Sequence, residues 1–361
     1  MSRRILIFNP ENDLALAAND PHYTPPASAL QMASDLQSLP LLWADPDDLI
    51  LQRDSNSNLP TPISPHSTLH PKLSTLNSLL STFNSQLLPW GWSPLLVRQL
   101  RECGVPSEML PSQEQMSAYH AYASRHTSVI LLKRLRESMA DYFSGGKLVG
   151  ESVWCESEKD VNEAVCNYSG HAMLKAPWSG SGRGIHPISA GISEQDSFWI
   201  RRTMQRQGGI EVEPYYQKEQ DFALEFWAEE GKVRYEGLSL FTTSDGGVYS
   251  GNLVASEQEK ERRMAHFIPI SLLHDVRSNL QNLLESSALP QWYTGPLGID
   301  MMILRLSGDA SFAIHPFVEI NFRMTMGWVA LQIARRQTSD AVLRFRICFD
   351  GKRYSYALES A

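Results

Sequence analysis

Two short apolar runs in the C-terminal third constrain this chain most, because each carries acids where a buried strand tolerates them least. One reads Gly298-Ile299-Asp300, and the other reads Glu319-Ile320-Asn321-Phe322-Arg323. Side chains on a strand alternate between faces, so Glu319, Asn321 and Arg323 are expected to project to one side, with Ile320 and Phe322 on the other. A carboxylate, an amide oxygen and a guanidinium would then share a surface, and Asp300 on a neighbouring strand would add a second carboxylate. Mg2+ takes hard oxygen ligands and keeps waters and substrate phosphates in its shell, so this oxygen set suits it, with Mn2+ as an alternative. Read structurally, the same acids are strand-end surface groups paired with Arg323 and Arg305.

A second pattern lies upstream. Residues 171–176 read as a strand that places Lys175 between Leu174 and Ala176, and a lysine buried there is costly unless an anion meets it. The strand runs into Pro177-Trp178-Ser179-Gly180-Ser181-Gly182-Arg183-Gly184, and residues 185–188 read as its return strand. Glycines let backbone amides turn towards phosphate oxygens without a helix N-terminus; the structural alternative is a flexible hairpin tip. The loop is neither a Walker loop nor a G-x-G-x-x-G turn, and both motifs are absent elsewhere in the chain.

The third pattern is Ile210-Glu211-Val212-Glu213-Pro214-Tyr215-Tyr216, with Asp221 opening the next strand. An extended hinge of this kind can read an adenine edge through its main chain while a nearby acid holds ribose hydroxyls. It is equally describable as an edge strand that contains a proline.

Around these patterns the chain reads as mixed α and β. Residues 4–8 form an apolar run closed by Asn9-Pro10, a first strand leading into a polar turn, and 27–36 read as a helix. Residues 39–44, ahead of Asp45-Pro46-Asp47-Asp48, read as a second strand. Residues 54–71 are rich in Ser, Pro, Asn and Thr without periodicity and read as a surface excursion, and helical spacing resumes at 73–87 and 93–102. Helices are expected at 129–143, 271–285 and 328–336. Strands are expected at 210–216, 221–228, 233–241, 298–304 and 313–322, with a closing hairpin turned at Asp350-Gly351.

Composition excludes several classes. A net charge of −8 argues against nucleic acid as a partner, because neutralising phosphates needs a basic face. Cys103, Cys155, Cys166 and Cys348 form no C-x-x-C pair, which removes a zinc knuckle or a disulfide framework and fits a reducing cytoplasm. No run approaches the roughly 18 apolar residues of a membrane helix, and the opening MSRRILIFNPEND lacks a signal-peptide core, so a cytoplasmic protein without a membrane partner is expected.

The order glycine hairpin, hinge with an acid, carboxylate, then Glu-x-Asn-x-Arg resembles the ATP-grasp superfamily over about residues 120 to 330. The resemblance implies α/β and α+β architecture: an N-terminal open α/β domain over residues 1–115, then two α+β lobes over 116–212 and 213–361 that grip ATP. It implies that Lys175 and the loop of Ser179, Gly180, Ser181, Gly182, Arg183 and Gly184 meet the ATP phosphates. Glu213, Tyr215 and Tyr216 would form the adenine hinge, and Asp221 would hold ribose. Asp300, Glu319 and Asn321 would be the metal ligands, and Arg323 would face a reacting carboxylate or acyl phosphate. For the first basic phosphate contact Arg125 is the leading candidate, with His126 and Lys133 competing. The implied reaction is Mg·ATP-dependent activation of a small-molecule or peptide carboxylate for attack by an amine. The rival readings are an ATP-binding module without turnover and a kinase on the same fold.

Overall fold

The computed structural model describes residues 3–53, 60–63, 85–179, 184–243, 249–306 and 311–361. The chain divides into two compact units: residues 1–120 with 251–255 and 323–361, and residues 121–250 with 256–322. The closing hairpin therefore belongs to the first unit, whereas the sequence reading placed it with the C-terminal lobe.

The first unit opens on β1 (Arg4–Ile7), β2 (Leu49–Arg53), β3 (Pro60–Ile63) and β4 (Gln86–Pro89), in the order β3-β2-β1-β4. β1 lies parallel to both β2 and β4, pairing Leu6 with Ile50 and Leu88. A strand covered on both faces has no solvent side, which is why Ile5 and Leu6 are wholly buried in an uninterrupted apolar run. The expected strand at 39–44 is instead a 3-10 turn, Leu39–Leu42, and the strand begins at Leu49. Pro40 explains the difference, since a proline has no N–H to give a central parallel ladder. The expected helix over 73–87 lies outside the described residues up to 84, and its last residues belong to β4.

In the second unit, the helix Arg125–Ser138 precedes a four-stranded sheet of β5 (Val153–Cys155), β6 (Ala172–Lys175), β7 (Ile185–Ile188) and β8 (Ile210–Pro214), ordered β5-β8-β6-β7. The helices Glu158–Asn167 and Glu194–Gln207, each started by a serine–aspartate capping box, bury Val161, Ala164, Val165 and Ile200 against Ala172, Leu174, Ile210 and Val212. That packing consumes the even-numbered side chains of β6 and β8, so Met173, Lys175, Glu211 and Glu213 face the other way.

The rest of this unit is an antiparallel sheet of β9 (Lys218–Glu229), β10 (Lys232–Thr243), β12 (Gly295–Arg305) and β13 (Phe312–Asn321), ordered β13-β12-β9-β10; the chain passes through β11 (Tyr249–Val254) between β10 and β12. Glu230 and Gly231, both at positive φ, make the two-residue turn between β9 and β10. Phe222, Leu224, Phe226, Ile299, Met301 and Ile320 give this sheet one buried apolar face. Cross-strand pairs share a face, so Asp300 opposite Glu319, and Gly298 opposite Asn321, put three polar side chains on the other.

The first unit is completed by residues 252–254 of β11, β14 (Leu343–Phe349) and β15 (Tyr354–Ser360), and by the helix Met326–Arg336. The turn of the expected hairpin is held by Asp350, whose Oδ1 accepts from the backbone N–H groups of Lys352 and Arg353 at 2.7 Å each.

Candidate functional site

The inward faces of β6 and β8 carry an ionic cluster that is almost free of solvent. Lys175, Glu211 and Glu213 are 4%, 2% and 4% exposed. Lys175 is in register with Glu211, and Glu213 is in register with Met173, so the ammonium reaches diagonally to Glu213 and pairs with it at 2.8 Å. Burial pulls the lysine's pKa down, but Glu213 and Glu211 outweigh it and hold the ammonium above its usual range. The anion expected for a buried Lys175 is thus present as a carboxylate of the neighbouring strand.

Arg125 enters the same cluster from the first turn of its helix, which is capped by the Ser124 side chain. Its guanidinium is buried and donates to the Ala176 carbonyl at 2.7 Å, to Ser179 Oγ at 2.5 Å and to Glu319 Oε2 at 2.7 Å. Its Nε lies 3.9 Å from Glu211 Oε2. Of the three basic candidates, Arg125 is the one brought into the cluster. The His126 ring stacks on Trp154 at 4.6 Å, and Lys133 is exposed.

Asp300, Glu319 and Asn321 meet on β12 and β13, with Asn321 Nδ2 donating to Asp300 Oδ2 at 3.0 Å. No three His, Cys, Asp or Glu side chains form a metal-holding group among the described residues. This set is two carboxylates and an amide, a hard-oxygen donor set of the kind magnesium accepts when a substrate's phosphates complete its shell. The residues therefore fit Mg2+, provided Asn321 turns its amide oxygen to the ion.

The remaining predicted residues divide. Gly184, at φ +81°, has no room for a side chain beside Ser179 and Ala176, and its carbonyl accepts from Ala176 N–H at 2.8 Å. Gly180, Ser181, Gly182 and Arg183 lie outside the described residues. Tyr215 is exposed, whereas Tyr216 is mostly buried, packs edge-on against His315 and accepts from the Glu151 N–H at 3.0 Å. β5 pairs with β8 only as far as Val212, so in the ladder Glu213 has β6 alone beside it. Asp221 accepts from Lys218 Nζ at 2.6 Å and Thr243 Oγ1 at 2.7 Å.

For Arg323 the alternation fails. β13 ends at Asn321, so Arg323 is not on the strand face expected for it. In the first unit its Nε and Nη2 grip both oxygens of Asp13, at 2.6 and 2.8 Å. Asp13 lies in the first turn of the helix Asn12–Ala18, where the sequence reading has only a polar turn.

No family model and no curated protein sequence matches the chain. Among solved structures, the biotin carboxylase domain of Hydrogenobacter thermophilus 2-oxoglutarate carboxylase, determined with Mg·ADP, ADP and bicarbonate, matches at TM-score 0.50 and 12% identity, over 96% of this chain and 74% of that one. The chain has an ATP-grasp fold. At TM-score 0.49 stand N5-carboxyaminoimidazole synthetase from Staphylococcus aureus complexed with ADP, 12% identical over 97% of this chain and 83% of that one, and a biotin carboxylase from Campylobacter jejuni, 14% identical over 96% and 76%. At these identities the likeness concerns the fold. No described helix is long and apolar enough to cross a membrane.

Two ionisable residues beside the Lys175–Glu213 pair carried no role in the sequence reading. Glu211 is one, and the signal for it was there: Ile210-Glu211-Val212-Glu213 puts two acids on the face that also carries Lys175. His315 is the other. It is wholly buried, its Nε2 is 3.9 Å from Glu213 Oε2, and burial followed by the repulsion of Lys175 pushes its pKa down to about 3. A lone histidine in an apolar strand gives no such signal.

Proposed function

We propose that the protein is a Mg·ATP-dependent ligase that activates a carboxylate as an acyl phosphate for attack by an amine. The observation that carries this reading is the convergence, within an ATP-grasp fold, of a two-carboxylate-and-amide set on β12 and β13 with Arg125 and Lys175 from the helix and sheet of the same unit. The protein is a cytoplasmic one in this reading.

A carboxylate is a poor electrophile because its leaving group would be oxide. Transfer of the γ-phosphoryl group from ATP to one carboxylate oxygen replaces that leaving group by phosphate, which an amine then displaces. Such a transfer asks a protein for alignment and charge neutralisation rather than covalent chemistry. Asp300, Glu319 and Asn321 would hold Mg2+, which supplies positive charge to the phosphate oxygens. Arg125 and Lys175 supply fixed positive charge for the same oxygens, and the loop from Ser179 to Gly184 covers them and keeps water from the acyl phosphate. The main chain from Glu213 to Tyr216 meets adenine and Asp221 meets ribose. Arg323 is assigned the acceptor carboxylate, and its two-point grip on Asp13 illustrates the geometry it recognises.

The test is a screen of carboxylates paired with amines, reading ADP and phosphate release with magnesium present, followed by hydroxylamine trapping of the acyl group. Wild type should yield a hydroxamate. Glu319→Gln, which keeps the side-chain volume but deletes a charge the metal needs, should lose turnover by at least about a hundredfold while remaining folded. ADP formation with neither hydroxamate nor carboxylate-to-phosphate oxygen transfer would identify a kinase. Nucleotide binding without turnover on any acceptor would identify a binding module.

A further inference from the structure

Glu211 is the one member of the ionic cluster that has neither a close ion pair nor an assigned part in the reaction. Its Oε2 accepts no hydrogen bond, and the closest cation is Arg125 Nε at 3.9 Å. The groups around it can be counted. On its own strand is Glu213, on β6 is Lys175, on the helix Arg125–Ser138 is Arg125, and on β13 is Glu319, held off by Arg125; His315 stands behind Glu213. Across the β5 ladder Glu211 meets Trp154, which does not titrate. The helices packed on the other side of β8 bring Val161, Ala164, Val165 and Ile200 against it, none of which titrates.

Two cations therefore face three carboxylates, and the cluster carries one excess negative charge unless one acid is protonated. Glu213 and Glu319 each hold a cation, at 2.8 and 2.7 Å. Glu211 has no such hold. Burial pushes it up, Lys175 and Arg125 pull it down, Glu213 and Glu319 push it up again, and it settles at about 7.

Phosphates arriving at Lys175 and Arg125 add negative charge to a cluster already in excess, in a site where water cannot screen it. We propose that Glu211 is the proton-binding residue of this site: it takes up a proton when a nucleoside triphosphate binds, and so keeps the buried charge in balance. This rests on the reading of the cluster as a nucleotide site. It gives the otherwise unassigned acid a function that a glutamine would perform permanently, since Gln is the neutral isostere of the protonated carboxyl.

Linkage gives the size of the effect. A group that is half protonated near pH 7 and fully protonated in the complex takes up about half a proton per nucleotide there, more towards pH 8, and almost none near pH 5.5.

The experiment is calorimetric titration of the whole chain with Mg·ATP, without acceptor, in PIPES and in Tris, whose ionisation enthalpies differ widely. For wild type the apparent binding enthalpy should change between buffers by the amount that proton uptake requires, and the uptake should grow with pH. Glu211→Gln should bind within about threefold of wild type near pH 7 and show the buffer difference much reduced. Binding by wild type without a buffer difference, or an undiminished difference in Glu211→Gln, overturns the proposal and leaves the nucleotide reading standing. No binding of Mg·ATP by wild type overturns the nucleotide reading itself. Should Glu211→Gln fail to fold, the two-buffer comparison on wild type still decides whether a proton is taken up, and its pH profile, centred near pH 7 or not, decides whether that proton belongs to Glu211.

Discussion

Replacing Arg125 by methionine tests whether the buried cluster is a stabilising network or a set of charges held together by the fold. The guanidinium is 3% exposed and makes two bonds to neutral acceptors, Ala176 O and Ser179 Oγ, and one to the Glu319 carboxylate. The donor is charged in all three, so each contributes at least about 1.5 kcal/mol, which together give roughly 4–5 kcal/mol. The same size follows from removing one partner of a buried pair, about 3–5 kcal/mol, because the other charge is stranded. The Glu319 side chain, however, is 24% exposed and partly hydrated, so the lower end, about 3 kcal/mol, is expected. In urea unfolding at neutral pH that is a midpoint shift of about 1 M. The pH dependence follows from Glu211. Its folded pKa, about 7, stands above its ordinary 4.5, so the stability tied to its protonation is complete below pH 4.5 and is lost as pH rises through 7. Arg125→Met removes one of the cations that limit this rise, which extends the loss to higher pH, and the deficit against wild type should be larger at pH 8 than at pH 5. A loss under about 1 kcal/mol would show that water already carries the pair, and a deficit equal at both pH values would show that Arg125 and Glu211 are not coupled.

Two further substitutions probe the scaffold of each unit. Gly150→Ala should destabilise the second unit by about 2–4 kcal/mol, because Gly150 sits at φ +116° and a Cβ there would lie 2.6 Å from the ring of the wholly buried His315; a thermal midpoint within a degree of wild type would refute the collision. Asp13→Asn should cost the first unit about 1–2 kcal/mol, since the amide keeps one acceptor for Arg323 but turns N–H groups towards a donor, and the pair is only partly solvated, its side chains 18% and 26% exposed; denaturant curves that superimpose on wild type would place the pair among surface contacts of no energetic weight.

What the sequence made legible was whatever follows from alternation over a few residues. Ile210-Glu211-Val212-Glu213 and the 298–304 and 313–322 runs became strands, and the register that places Asp300 opposite Glu319 follows from their antiparallel pairing. Alternation misled at the ends. Arg323 shares the parity of Glu319 and Asn321, but the strand stops two residues short of it, and its carboxylate partner lies 310 residues away in sequence. Residues 39–44 are apolar enough for a strand, yet Pro40 makes them a turn. Arg125, His126 and Lys133 could not be separated by pattern, because what distinguishes them is which side of one helix start faces Glu319, a contact across 194 residues.

Lys175 shows most clearly where local pattern ends and tertiary chemistry begins. Its burial demanded an anion, and two anions satisfy that demand on equal physical grounds: the phosphate of the resemblance and the Glu213 carboxylate of the structure. The two are not exclusive. An ammonium presents three N–H donors in a tetrahedral array, and the 2.8 Å ion pair with Glu213 Oε1 does not exhaust them. A phosphate oxygen can take another only if the added negative charge is offset, because three carboxylates already stand around two cations. Protonation of Glu211 and binding of a divalent cation at Asp300 and Glu319 are the two offsets these residues permit, and each acts on a different carboxylate of the cluster. The lysine can therefore serve structure and nucleotide together only in a site that also manages its acids.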